Sequence, residues 1–372
     1  MKTEAALIKC DSYDRNKVFS AVKKAVDSLG GVQKIIRPQS RVLVKPNLLM
    51  AVDPASGVVT HPEVVRSVIR LLKEQGCQVF VGDGPSVWGG HIENVQDVYK
   101  QTGILAVAEE EGAELVDFDK RRWRENYPLT RWLDHCEHLV NVPKFKTHGL
   151  TLLTGAVKNL FGLVSGTYKT EIHKKFDKTD DFAKVLVDIY QDARPGLTII
   201  DGILSMEGEG PGTSGKTRRT NFIMAGSDCV ALDSLLAVLM GIGPMDVPTN
   251  RIARDRGLGV TDIAEIKILG EELKDVFSGD FLLPQTSIRK RIPQPIINLL
   301  KRFIKYYPSV DRIRCIKCSA CIKACPSKVI SMQKKGIVFD YSGCIACFCC
   351  QEVCPAAAIT LKKSIFTKIV GL

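Results

Sequence analysis

CIKCSACIKACP, residues 315–326, and CIACFCCQEVCP, residues 344–355, are one pattern written twice. Both read C-x2-C-x2-C-x3-C-P, and the second follows the first by 29 residues, from Cys315 to Cys344. In runs of this spacing three thiolates grip one iron–sulfur cubane and the fourth, held before proline, reaches across to the other. The spacing therefore predicts two [4Fe–4S] clusters. Cluster one takes Cys315, Cys318, Cys321 and Cys354, and cluster two takes Cys344, Cys347, Cys350 and Cys325. Zinc sites more commonly use separated C-x2-C pairs, without the closing proline. A disulfide framework belongs to an oxidising compartment. The opening residues, MKTEAALIKCDSYDR, lack the apolar region of a secretion signal, and no apolar run reaches the roughly 18 residues of a membrane span. The expectation is a cytoplasmic protein with reduced thiols. Cys349, where the first repeat has Ala320, reads as a small packed residue between two ligands.

This segment resembles the bacterial-type two-cluster ferredoxins over about residues 310–361. The resemblance implies a small α+β module that carries electrons. Nine of the thirteen cysteines lie in it. Cys10, Cys77, Cys136 and Cys229 are scattered through apolar stretches and read as core residues.

The formal net charge of +11 treats cysteine as neutral. Two thiolate-ligated cubanes remove about four of those charges. The surplus that remains can steer an acidic redox partner protein, a small anionic substrate or a peripheral membrane contact. No basic run is interleaved with stacking aromatics, so nucleic acid is not an expected partner.

Upstream of the cysteines, strands and helices alternate. Apolar runs at 5–10, 41–45, 78–81, 114–118, 139–144, 197–200, 221–225 and 265–269 read as strands. Helical spacing covers 15–29, 61–75, 95–111, 152–163, 182–192 and 229–240. The rhythm predicts an α/β fold, a mainly parallel sheet with helices on both faces. Domain limits follow as 1–285 for this α/β domain, 286–309 for a basic amphipathic linker, 310–361 for the ferredoxin module and 362–372 for a basic tail. The linker carries Arg289, Lys290 and Arg291, then a helix from Pro295 whose apolar face reads as a docking surface for the module.

In such sheets ligands bind beyond the carboxyl ends of the strands, where the polar residues of this chain gather. Lys45, Asn47, Lys144, Lys146, Lys158 and Asn159 are the candidates for binding an anion. His61, His148, Asp83 and Glu207 are the candidates for proton transfer, the histidines because imidazole ordinarily titrates near neutrality. Asp201 and Asp228 are further acids of the same kind. Thr60 is expected to cap the helix that opens at Pro62. GPGTSGKT, residues 210–217, fits the phosphate-loop pattern, but a strand rather than a helix follows it, so it reads as a glycine-rich lid over an anion.

VLVKPNLL, NVPKFKTHGL, GAVKNLFG, MEGEGPGTSG and AGSDCVALDSL resemble the recurring motifs of the family called domain of unknown function 362, over about residues 1–285. The resemblance implies the fold neighbourhood and a redox association, and it carries no catalytic assignment. The combined reading is an iron–sulfur protein that passes electrons to or from an anion-binding cleft, and as an enzyme an oxidoreductase. The alternative is a non-enzymatic electron carrier or assembly factor whose first domain binds a protein. No flavin or nicotinamide fingerprint is visible, which leaves a further cofactor open.

Overall fold

The computed structural model describes residues 2–85, 94–164, 168–276, 279–287 and 306–363. The expected linker helix and most of the basic tail lie outside them. Strands β1 (Thr3–Lys9), β2 (Arg41–Pro46), β3 (Gln78–Val81) and β4 (Glu114–Leu115) come first. A short hairpin, β5 (Arg121–Trp123) and β6 (Pro128–Thr130), precedes β7 (His138–Val142), β8 (Lys144–His148) and β9 (Leu152–Thr154). Then come β10 (Leu197–Gly208), β11 (Gly215–Gly226) and β12 (Ile266–Gly270).

The main sheet runs β12-β1-β11-β10-β7-β2-β3-β4. Along this path every neighbour pair is parallel except the two made by β11, which is reversed because a tight hairpin joins it to β10. This is the mainly parallel α/β sheet that the alternating pattern predicts. Helices cover both faces, as parallel strands require. Helix Arg15–Ser28 is started by Asp14, whose carboxylate accepts the amides of Asn16 and Lys17 at 3.1 and 3.0 Å. It buries Val18, Ala21, Val22, Ala25 and Val26 against one face beside helix Pro62–Lys73. Helix Thr179–Ala193 packs on the opposite face, through Phe182, Val185, Leu186 and Ile189. Helix Cys229–Leu239 has a third apolar cluster, capped by Asp228 at the amides of Val230 and Ala231.

Three local expectations change. The stretch 95–111 is two helices, Val95–Gln101 and Ile104–Glu111, because Gly103 takes a left-handed φ of 75° between them. The stretch 152–163 is not one helix. Leu152–Thr154 pairs antiparallel with β8, and only Ala156–Asn159 is α-helical before a 3-10 turn. His61, rather than Thr60, caps helix Pro62–Lys73, its Nδ1 accepting the Glu63 amide at 3.2 Å. Thr60 instead donates to the Val142 carbonyl and accepts the Asn47 amide, tying the ends of β2 and β7 together.

The C-terminal part is small and built on short sheets. β13 (Tyr306–Val310) pairs with β16 (Ile359–Lys363), and β14 (Ile330–Gln333) with β15 (Gly336–Phe339). The 29-residue repeat is also a backbone repeat. Lys317, Ser319 and Lys328 have left-handed φ, and so do Ala346, Phe348 and Ala357, each 29 residues on. Helices Ala320–Lys323 and Cys349–Glu352 match in the same way. Among the described residues no helix is long and apolar enough to cross a membrane.

Candidate functional site

β7 and β8 are two halves of one strand, interrupted at Pro143, and β10 pairs with both. Period-two alternation then puts Lys144, Lys146 and His148 on one side of β8. All three are buried. β2 ends beside this row and delivers Lys45, followed by Asn47, and β3 delivers Asp83.

The four expected lysines divide into two kinds. Lys45 Nζ lies 2.6 Å from Asp83, and Lys144 Nζ lies 2.8 Å from Asp201. Both are closed, buried ion pairs. The Lys144 ammonium and the Asp201 carboxylate also share the Tyr13 hydroxyl, at 2.8 Å each. Burial lowers the pKa of Lys45 and Lys144, and the paired carboxylates oppose the shift. Lys146 and Lys158 are different. Among the described residues neither has a carboxylate within ion-pair distance, and Lys146 donates only to the Val58 carbonyl, at 2.6 Å. Burial pushes Lys146 well below the usual lysine range, and the charge of Lys158 pushes it further.

Lys146, Lys158, Asn159, Asn47 and Asp83 line a cleft enclosing about 540 Å³ of space open to solvent. Sequence reasoning missed two of its residues. Lys169 and His173 stand one turn apart on helix Tyr168–Lys175 and both face the cleft. Lys169 donates to the Gly84 carbonyl and is lowered by burial to about 8. Their i, i+4 spacing was the available signal. Asn47 Oδ1 and Thr154 Oγ1, on the same wall, are buried with no hydrogen-bond partner among the described residues. Buried polar atoms of this kind ordinarily have a partner, so the wall has capacity for a ligand or water.

A third missed residue closes the cleft from the other side. Glu352 sits between Cys350 and Cys354 in sequence, yet it lines the cleft of the α/β domain. Its Oε1 is 3.1 Å from His148 Nε2, a close electrostatic contact with poor hydrogen-bond geometry. Burial works to raise the Glu352 pKa, but His148, Lys158 and His173 outweigh it and hold it at about 2. Burial brings His148 down to about 4, so at neutral pH a carboxylate faces a neutral imidazole whose Nδ1 accepts the Leu150 amide.

The remaining candidates fall elsewhere. His61 is stacked on Tyr13 at 3.6 Å between ring centroids, and its amide donates to Asp201. Burial lowers it to about 4, so it lacks the near-neutral titration its residue type suggested. Glu207 pairs with Arg218 at 2.9 Å and accepts the Leu282 amide, which fixes the β10–β11 hairpin rather than the cleft. Asp228 is occupied as a helix cap.

Residues 210–214 lie in the tip of that hairpin and 215–217 open β11, so the segment is not a strand-to-helix loop. Pro211 touches the cleft, but the tip is pinned instead of free to act as a lid. Thr213 donates to the Cys354 carbonyl at 2.5 Å and Ser214 to the Ile359 carbonyl at 3.5 Å. A side chain at Gly212 would meet the Glu352 carbonyl at 2.5 Å.

The cysteines surround two apolar cavities. Cys315, Cys318, Cys321 and Cys354 line one, which encloses about 310 Å³ of space open to solvent. Cys325, Cys344, Cys347 and Cys350 line the other, which encloses about 320 Å³ of space open to solvent. Among the described residues no three His, Cys, Asp or Glu side chains converge as a single-metal site does. Thiols spread around a cavity, on loops that carry left-handed residues, suit a multi-iron anionic core.

The chain matches two protein families. Residues 42–238 match the domain of unknown function DUF362, and residues 307–355 match a 4Fe-4S dicluster domain. It is 28% identical over 312 residues to the Thylakoid-associated protein sll1697 of Synechocystis sp., covering 82% of this chain and 95% of that protein. Among solved structures it is similar to the lactate racemase apoprotein from Thermoanaerobacterium thermosaccharolyticum, with a TM-score of 0.41 and 13% identity. That similarity covers 64% of this chain and spans 57% of the other. The chain belongs to the DUF362 family and carries a 4Fe-4S dicluster domain at its C-terminal side.

Proposed function

We propose that this protein exchanges electrons between two [4Fe–4S] clusters and a small anion held in the cleft. The observation that carries this reading is Glu352: one short helix, Cys349–Glu352, supplies both a thiol of the second cavity and a wall of the lysine cleft. In this reading the α/β domain spans 1–285, the linker 286–309, the ferredoxin module 310–361 and the tail 362–372. Cys315, Cys318, Cys321 and Cys354 hold cluster one, and Cys344, Cys347, Cys350 and Cys325 hold cluster two. When bound, the clusters supply one-electron chemistry.

The protein side chains do the rest. Lys146, Lys158 and Lys169 attract a carboxylate or phosphate into a site whose two acids among the described residues are already engaged, Asp83 by Lys45 and Glu352 beside His148. Asn47 and Thr154 offer their unpartnered polar atoms to its protonated or hydrated edge, while Asn159, which donates to Asn141 at 2.8 Å and accepts from Lys45, holds the wall in place. Asp83, already paired with Lys45, keeps the β3 end fixed by accepting the Leu48 amide at 2.7 Å. Lys169, with a pKa near 8, holds a proton that it can give up close to neutral pH.

The test uses anaerobically purified, cluster-loaded protein reduced with dithionite. Carboxylates and phosphates are screened for reoxidation, followed by cluster absorption. A ligand that reoxidises wild type and fails with Lys146→Met and Lys158→Met supports the cleft. If no anion reoxidises the clusters and none binds, the electron-carrier reading replaces it.

A further inference from the structure

The two cysteine loops share a backbone but not a surface. Arg312, Arg314 and Lys317 of the first loop correspond, 29 residues on, to Tyr341, Gly343 and Ala346. Three cations in one repeat are thus matched by none in the other. Exposure differs as well. Ile313 is 98% exposed and Ile316 65%, and Cys318 is exposed, whereas its counterpart Cys347 is half-buried. Asp311 is the acid at this edge. It accepts the amides of Ile313 and Arg314 and lies 3.6 Å from the Arg314 guanidinium. The second loop turns inward: Phe348 is buried against Gly149 of the α/β domain, and the helix after it ends at Glu352 on the cleft wall.

We propose that the first loop, centred on Ile313 and Ile316 and rimmed by Arg312, Arg314 and Lys317, is the docking surface for an acidic electron-transfer protein. The chain then conducts in one spatial order, from this surface through the first thiol set to the second and on to the cleft. Two exposed isoleucines within a cationic rim suit a partner whose redox centre lies under an apolar patch ringed by Asp and Glu. Opposite charge steers the encounter, and the small apolar centre excludes water once the two surfaces meet. One electron leaves the partner's reduced centre at each encounter and reduces one iron–sulfur group of this chain, with no proton or bond transferred. The inference rests on the cluster assignment proposed above but not on the cleft's ligand.

The experiment mixes full-length, cluster-loaded protein with a pre-reduced acidic [2Fe–2S] ferredoxin in stopped flow, with no cleft ligand present. Binding of the oxidised ferredoxin is measured in parallel by titration calorimetry. The expected second-order rate falls about tenfold between low and high salt. Arg312→Glu combined with Lys317→Glu slows it about tenfold further at low salt, weakens binding and flattens the salt dependence. Lys24→Glu combined with Lys73→Glu, the same charge change on exposed positions of the α/β domain, leaves the first-loop effect unreproduced. Iron content and visible absorption show that each variant is loaded. Equal slowing by both pairs, or slowing by neither, overturns the docking surface. So does a result in which the first pair abolishes binding to anionic phospholipid vesicles while its ferredoxin kinetics match wild type. Failure of the cleft reading would leave these rates unchanged, so the two outcomes are separable.

Discussion

Lys45, near the end of β2, and Lys146, within β8, are both fully buried lysines, and their removal has opposite consequences. Lys45→Met leaves Asp83 as an uncompensated buried carboxylate and is expected to cost about 3–5 kcal/mol, read from denaturant unfolding. Lys146→Met removes a cation with no carboxylate at ion-pair distance, so its unfolding midpoint is expected to hold or rise while sulfate affinity falls at least tenfold. Nothing in the sequence separates the two, since each stands beside apolar strand residues a short way before a turn. The difference lies in Asp83, 38 positions from Lys45 and brought to it by the parallel pairing of β2 and β3. Histidine misled for the same reason. His61 has a folded pKa of about 4, below its ordinary 6.5, because it is buried. Between those pH values the unfolded chain binds a proton and the folded chain does not. Stability is therefore complete above about 6.5 and falls as the pH drops toward 4, by about 1.4 kcal/mol per pH unit from this residue. His148 and His173, at about 4 and about 3, act in the same direction. Urea unfolding at pH 7, 5.5 and 4.5 measures the slope, and His61→Asn, which keeps a capping acceptor, is expected to reduce it.

At the scale of elements, the sheet was legible because alternating strands and helices leave few other architectures. Turn chemistry set the errors. Gly103 divides a continuous helical period, and Leu152, at a left-handed φ of 67°, opens a strand where apolar spacing suggested a helix. The phosphate-loop pattern was correctly set aside for want of a following helix, but its contact with the C-terminal module had no local signal, because that contact joins residues more than 140 positions apart. Gly212→Val is expected to force this contact open, since the added side chain meets backbone rather than a movable tip. Iron content should stay near wild type, while the reoxidation of the clusters by a cleft ligand slows at least tenfold. Asp228→Ala removes a cap that serves Val230, Ala231 and also the Val260 amide. Its expected cost is about 1–2 kcal/mol, and thermal unfolding checks it.

For the whole molecule, the expected behaviour is that of two bodies with different dependence on metal. The α/β part buries three apolar clusters of its own, whereas the C-terminal part packs its small core around cysteines. Anaerobic chelation of iron is therefore expected to unfold the C-terminal part and leave the calorimetric transition of the α/β part in place. It should also change anion affinity, since Glu352 and the wall it forms depend on the C-terminal fold. The cysteine spacing made that fold readable, and the strand ends located the cleft. Their adjacency was not readable, because it depends on the hairpin. Both of its strands are 12 residues long and run past the body of the sheet before their tip meets Cys354 and Glu352. The hairpin thus serves as a ruler between the thiol sets and the lysines. Adding two residues to each strand would preserve every facing side chain but move the tip by about 7 Å. Relatives with a longer or shorter arm would then work with a different electron-transfer distance while keeping the same ligands and the same cleft.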